Sequence, residues 1–370
     1  MRAVETYLRF SFPAGDETIL GKERVSYPVI RFPSEAEKTG EEYLEELNRI
    51  LDKVFEEERR SSDAAFLSSG VDSTLIAFGI GAKKTFSVAY EEEDFDESAL
   101  AKQAADRLKS EHHTIRISAG DYFGAVSEAM ACRRQPTGDA SYIALFLAAR
   151  EAAFYTESVC SGEGPDEMFC GYPCYSRYFD APEEDFWLKS NTIMDIGSAD
   201  FPELSAFQGD GFQKMNAFDL SRWMYGNILP NIAAAAKGAG IEIRTPYMNR
   251  ALWDFALSLP VKYKANRRMG KLLFREAARR YVGEETAFRE KRGFPVPVRK
   301  WMRQEPWKTQ ITDALTGTDA RDVLYCVDRE QILNTFYSGT DDTLWKQIWE
   351  MFALIRWVEG HQTRTAKPSF

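Results

Sequence analysis

Hydrophobic and polar positions fall into three regimes along the chain. Over the first forty residues, short β-like runs, "YLRFSF" and "YPVIRF", are separated by Pro, Gly and Asp, which predicts a small hairpin. From Glu41 the apolar residues recur at helical spacing, with Tyr43, Leu44, Leu47, Ile50, Leu51, Val54 and Phe55 on one face. Short apolar runs then alternate with helical segments. "AAFLS" precedes "DSTLIAFGI", "TFSVAY" precedes "DESALAKQAADRLKS", "HHTIRIS" precedes "DYFGAVSEAMA", and "YIALFLAAREAA" precedes "SVCSGEG". This alternation predicts an α/β fold: a doubly wound, mostly parallel sheet with helices on both faces. Beyond about residue 185 strand-like runs are scarce, and "TLWKQIWEMFALIRWVEGH" reads as a closing helix. The expected organisation is a hairpin-like extension over 1–40 and one domain over 41–370. Its sheet core runs to about 185 and a mainly helical part covers 186–370.

Composition narrows the function classes. The 370 residues are 44% hydrophobic and 13% aromatic, which suits a packed core and not a disordered chain. A formal net charge of -10 argues against nucleic acid as a partner. The N-terminal "MRAVETYLRFSF" carries charge early and has no sustained apolar segment, neither the roughly 7–15 residues of a secretory signal core nor the roughly 20 of a membrane span, so no membrane and a cytoplasmic location are expected. Five scattered cysteines do not suggest a disulfide framework. Cys170 and Cys174 lack histidines nearby for a zinc site, the three histidines being at 112, 113 and 361.

Chemistry concentrates in three stretches. In "AAFLSSGVDST" an apolar strand runs into Ser68, Ser69, Gly70, Asp72 and Ser73 before a helix resumes. Ligands of open parallel sheets bind beyond the strand ends, where unpaired first-turn amides and the helix dipole favour an anion. Small residues let a phosphate approach, and Asp72 would repel it unless a divalent cation sits between. The loop is neither a Walker loop nor a dinucleotide fingerprint: "MGKLL" lacks the upstream Gly and a Ser or Thr after Lys271, and no GxGxxG is present. A second strand end, "VCSGEGPDEMFCGY", sets Glu163, Asp166 and Glu167 beside Ser161, Gly162 and Gly164. Carboxylates from two strand ends sharing magnesium around a polyphosphate account for both stretches. The third, "REKRGFPVPVRKW", holds Lys291 and Arg292 on a loop stiffened by Gly and Pro, suited to neutralising charge that develops in a transition state.

These stretches together resemble the synthetase domain of the asparagine synthetase family, within the wider class of pyrophosphate-loop ATP pyrophosphatases. "LSSGVDST" is similar to that family's SGGxDSS, "SGEGPDEMFCGY" to its SGEGxDExFxGY, and "KRGFPVPVRKW" to its KxGFxxPxxxW. "IEIRTPYMN" and "GKLLFREAARRYV" follow in the family's order, so the resemblance spans nearly the whole chain. It implies an ATP- and magnesium-dependent ligase that adenylates a carboxylate, releases pyrophosphate and transfers the acyl group to ammonia or another amine. Residue by residue it implies that Ser68, Ser69, Gly70, Asp72 and Ser73 hold the phosphates, and that Asp72 and Asp166 bind Mg2+. Leu67, Val88, Ser161 and Gly162 would contact the nucleoside. Glu163 and Lys291 would be catalytic, Glu163 helping to deprotonate the amine and Lys291 stabilising acyl transfer.

Departures shape the expectation. Ser69 stands where the family has Gly, and Arg2 where full-length members carry a nucleophilic Cys, so the N-terminal glutaminase domain is expected to be absent. "LPNIAAAAKGAGIEIRTPYMN" lacks the family's Lys-x-Asp-Arg element, so aspartate is not carried over as substrate. The expected partners are a small-molecule or carrier-bound carboxylate and an amine, with a homodimer left open. Two other readings stand beside this one: adenylation for another transfer such as sulfur insertion, and a non-catalytic nucleotide-binding module.

Overall fold

Walking the chain shows which apolar runs become strands. The computed structural model describes residues 2–13, 18–19, 25–33, 38–177, 179, 193–194, 207, 209–290, 293 and 295–365. The first element is a helix, α1 (Arg2–Phe10), and "YPVIRF" forms no strand, so the hairpin expected over 1–40 is not formed by the described residues. A short apolar run fits either a strand or one buried helix face. Here Tyr7 and Leu8 are buried, and the Tyr7 hydroxyl donates to the Glu350 carbonyl at 2.9 Å, so packing against the end of the chain selects the helix.

α2 (Gly40–Glu58) begins at a capping box in which the Thr39 hydroxyl and Glu42 carboxylate satisfy each other's backbone amides. It buries Tyr43, Leu47, Leu51, Val54 and Phe55, the face anticipated from spacing. Then β1 (Ala64–Phe66), α3 (Val71–Ile80), β2 (Lys84–Ala89), α4 (Ser98–Leu108), β3 (Glu111–Arg116), α5 (Ala119–Cys132), α6 (Ser141–Ala152) and β4 (Ser158–Cys160) follow. The later elements used below are α7 (Leu229–Ala239), β5 (Glu242–Arg244), α8 (Leu272–Val282) and α9 (Trp345–Thr365).

The five strands form one parallel sheet in the order β3-β2-β1-β4-β5. One core joins α5, α6, α7 and α9 to one face of the sheet, with Tyr122, Ile143, Phe146, Ala235 and Leu354 fully or nearly buried. The other core joins α2, α3, α4 and α8 to the opposite face through Leu51, Leu75, Ala105 and Phe274. Central strands covered on both sides need no polar face, which explains the unbroken apolar "AAF". The expected doubly wound α/β fold with a helical C-terminal part is thus observed. β1 is flanked by β2 and β4, so the chain reverses its direction of sheet growth between β1 and β4. That is the switch point at which open α/β sheets bind ligands.

Candidate active site

The two loops read from sequence leave the sheet side by side at the switch point, because β1 pairs with β4 through Ala65 and Cys160. Gly70 caps α3 with extended backbone and no side-chain hydrogen bond, which leaves first-turn amides for a ligand. Ser68 and Ser73 brace the turn: the Ser73 hydroxyl accepts from the Ser68 amide at 3.0 Å and lies 2.7 Å from the Ser68 hydroxyl. The Ser69 hydroxyl, where the family motif has Gly, donates to Glu97 at 2.5 Å. Gly162 lies so close to α3 that a Cβ would come within 2.7 Å of the Ser73 amide nitrogen, so any larger residue would separate the two loops.

Leu67, Ser68, Ser69, Gly70, Asp72, Ser73, Val88, Ser161, Gly162, Glu163 and Asp166 all line a single cavity of about 710 Å³. That volume is in the range of small-molecule sites. Lys291 lies outside the described residues. The segment leading to it is nevertheless tied to the first loop, since the Arg289 guanidinium donates to the Ser69 carbonyl at 3.1 Å.

At the centre is a residue that sequence reading passed over. Lys271, set aside because "MGKLL" is not a Walker loop, is 1% exposed and bridges the two loops. Its Nζ is 2.5 Å from Asp72 Oδ2 and 2.7 Å from Asp166 Oδ1. Its backbone has φ 60°, a left-handed conformation uncommon for a non-glycine residue, and its amide donates to the Phe169 carbonyl at 2.9 Å. Gly171 leaves no room for a Cβ against Asp166 and the Lys271 stem. Arg275, one turn further along α8, donates to the carbonyls of Gly270, Ala287 and Arg289. Burial lowers its pKa, with Asp72 and Asp166 pulling the other way. Glu167 is buried and accepts from the Tyr172 hydroxyl; burial and the charges of Asp166 and Glu163 push its carboxyl up to about 8, against that hydrogen bond. The only available signal for Lys271 was a cation opening a helix in a stretch already placed in the family's order.

The arrangement combines amide and hydroxyl donors, a buried cation and two carboxylates around one cleft. Comparison with known proteins is consistent with it: residues 60–359 match the asparagine synthase family. The chain belongs to the asparagine synthase family. Its relatives include a glutamine-hydrolyzing asparagine synthetase of Bacillus subtilis, 26% identical over 65% of this chain and 47% of the relative. Another is a candidate glutamine-hydrolyzing asparagine synthetase of Mycobacterium bovis, 24% identical over 79% of this chain and 54% of the relative. The chain thus spans about half the length of these relatives. Among the described residues of this family member, no helix is long and apolar enough to cross a membrane.

Proposed function

We propose that the chain is an ATP-dependent ligase of the asparagine synthetase type, which adenylates a carboxylic acid and passes the acyl group to ammonia or another amine. The observation that carries this reading is the meeting of the Ser68–Ser73 loop with Asp72, Asp166 and Lys271 at the switch point. A buried cation held between two carboxylates beside an anion-accepting helix start suits a triphosphate accompanied by a metal ion.

The donor set suits magnesium. Asp72 Oδ1 is buried and has no hydrogen-bond partner among the described residues, although its other oxygen is held by Lys271. Magnesium takes one or two carboxylates and completes its shell with water and substrate oxygens. No group of three or more His, Cys, Asp and Glu that could hold a metal is present among the described residues. Asp72 and Asp166 would hold it. Once bound it would neutralise charge on the phosphate oxygens.

In the first half-reaction a carboxylate oxygen of the acid attacks the α-phosphorus, and the bond to the bridging oxygen of the β-phosphate breaks. The α3 amides, the Ser68 and Ser73 hydroxyls and Lys271 would hold the departing pyrophosphate, with Leu67, Val88, Ser161 and Gly162 against the nucleoside. In the second, the amine attacks the acyl carbon, AMP leaves, and Glu163 would accept the amine proton. Lys291 would stabilise the oxyanion of that step. The test is product analysis with ATP, magnesium and a panel of acids and amines. Pyrophosphate and AMP are expected; ADP and orthophosphate would reject the mechanism.

A further inference from the structure

The cavity has another wall, to which the reading above assigns no work. It is formed by α9, by residues 138–141 at the start of α6, and by Ser11 just beyond α1. Two carboxylates stand on it. Asp139 is fixed by four donors: the Ser141 amide at 3.0 Å and hydroxyl at 2.6 Å on Oδ1, and the side-chain amides of Asn227 at 3.0 Å and Asn231 at 3.2 Å on Oδ2. Behind them the buried Arg133 holds Asn231 Oδ1 at 2.7 Å.

Glu350 is 1% exposed and lines the same cavity. Its Oε1 accepts a short hydrogen bond from the Ser11 hydroxyl, while its Oε2 is buried with no hydrogen-bond partner among the described residues. The contact is built rather than incidental. Ser11 adopts φ 65°, and a Cβ on Gly138 would come within 2.6 Å of Glu350 Cγ. Lys346 lies one turn earlier on α9, but its Nζ sits 6.0 Å from the Trp345 ring centroid and gives Oε2 no hydrogen bond. Burial raises the Glu350 carboxyl well above its ordinary range, against the nearby Lys346 charge. A buried carboxylate oxygen without a donor is costly, and the cavity is where a donor can arrive.

We infer that Glu350, with Asp139 beside it, receives a positively charged nitrogen carried by the acid whose carboxylate is activated at the phosphate loop. The substrate class is therefore an acid bearing an ammonium or guanidinium group remote from its reacting end. Leu145, Ile232 and Trp349 line the cavity too and suit an aliphatic stem. The inference rests on the ligase reading of this cavity for the second end of the substrate, but not for the cation site itself.

The test measures binding and turnover separately on the full chain. Short ω-amino acids, lysine and arginine are titrated calorimetrically against unsubstituted acids of the same length. At least one cationic acid should bind about ten-fold or more tightly than its parent, the gain expected of one charged hydrogen bond. Glu350→Gln keeps the shape and the Ser11 contact and should remove most of that preference. If that variant does not fold, Asp139→Asn should weaken the preference instead. Equal binding of cationic and parent acids by the unaltered chain overturns the inference, as does a preference that survives in the folded variant. Pyrophosphate release with the same acids tests the other reading. Preferential binding with no pyrophosphate from any acid leaves the cation site standing and rejects the ligase. Equal kcat/KM for parent and cationic acids, with pyrophosphate formed, does the reverse.

Discussion

The two walls of the cavity differ in how they are made. The strand-end wall comes from short continuous stretches, 67–73 and 161–166, each holding its turn, its helix start and its carboxylate within a few residues. The α9 wall draws Ser11, Asp139, Asn231 and Glu350 from four distant parts of the chain. Unpaired amides at a helix start are a property of local conformation, so they are written locally. A side-chain pocket is a property of packing, and each of its residues looks like ordinary core or turn when read alone. Lys271 belongs to both kinds: it is remote in sequence, yet it joins the two local loops into one electrostatic unit.

Breaking that unit should have the largest effect. Lys271→Met leaves Asp72 and Asp166 facing one another without a buried cation, and removing one partner of a buried ion pair costs about 3–5 kcal/mol. Urea unfolding should show a loss of that order together with loss of ATP binding. A change under about 1 kcal/mol would mean that the loops hold together without Lys271.

Asp72→Asn should spare the fold, since the amide can still accept from Lys271, yet lower magnesium-dependent pyrophosphate release by about 100-fold or more. Near-normal release in magnesium would remove Asp72 from the metal's ligands. Lys291→Ala should lower single-turnover amide formation by about 100–1,000-fold, the usual cost of losing one preorganised donor. ATP affinity should change far less. Equal losses in both would move Lys291 to the nucleotide, and a change of less than about three-fold would make it a solvated surface charge.

The smallest expected effect lies outside both walls. Asp219 is buried and bound by the Tyr175 hydroxyl at 2.5 Å, and burial pushes its carboxyl up to about 7. A carboxyl raised on folding keeps a proton that the unfolded chain releases, so stability falls as pH rises from about 4 through 7. In Asp219→Asn that part of the fall should vanish, seen as a smaller difference between urea midpoints at pH 5 and pH 8. An unchanged difference would assign the pH dependence to other groups.

Much of the fold was legible because its signals are local. The helical face of α2, the strand runs before Ser68 and Ser161, and the closing Trp-rich helix all follow from periodicity that neighbouring residues enforce. The first element was not. "YLRFSF" carries too few residues to separate two periods, and burial of Tyr7 and Leu8 against distant parts of the chain made it helical. Lys271 escaped for a related reason: a lysine opening a helix has no local mark that distinguishes solvent from a buried cleft.

By itself, then, the chain's sequence determined the sheet, the two strand-end turns and the carboxylates they carry, because turn chemistry and strand burial act over a few residues. Tertiary structure alone decided which of those groups meet. Parallel pairing of β1 with β4 sets the turns side by side, α8 delivers Lys271 between Asp72 and Asp166, and α9 brings Glu350 to the same cavity. Charge interactions depend on separation through space and on exclusion of water, and neither is encoded in the order of residues until the sheet and its helices have packed.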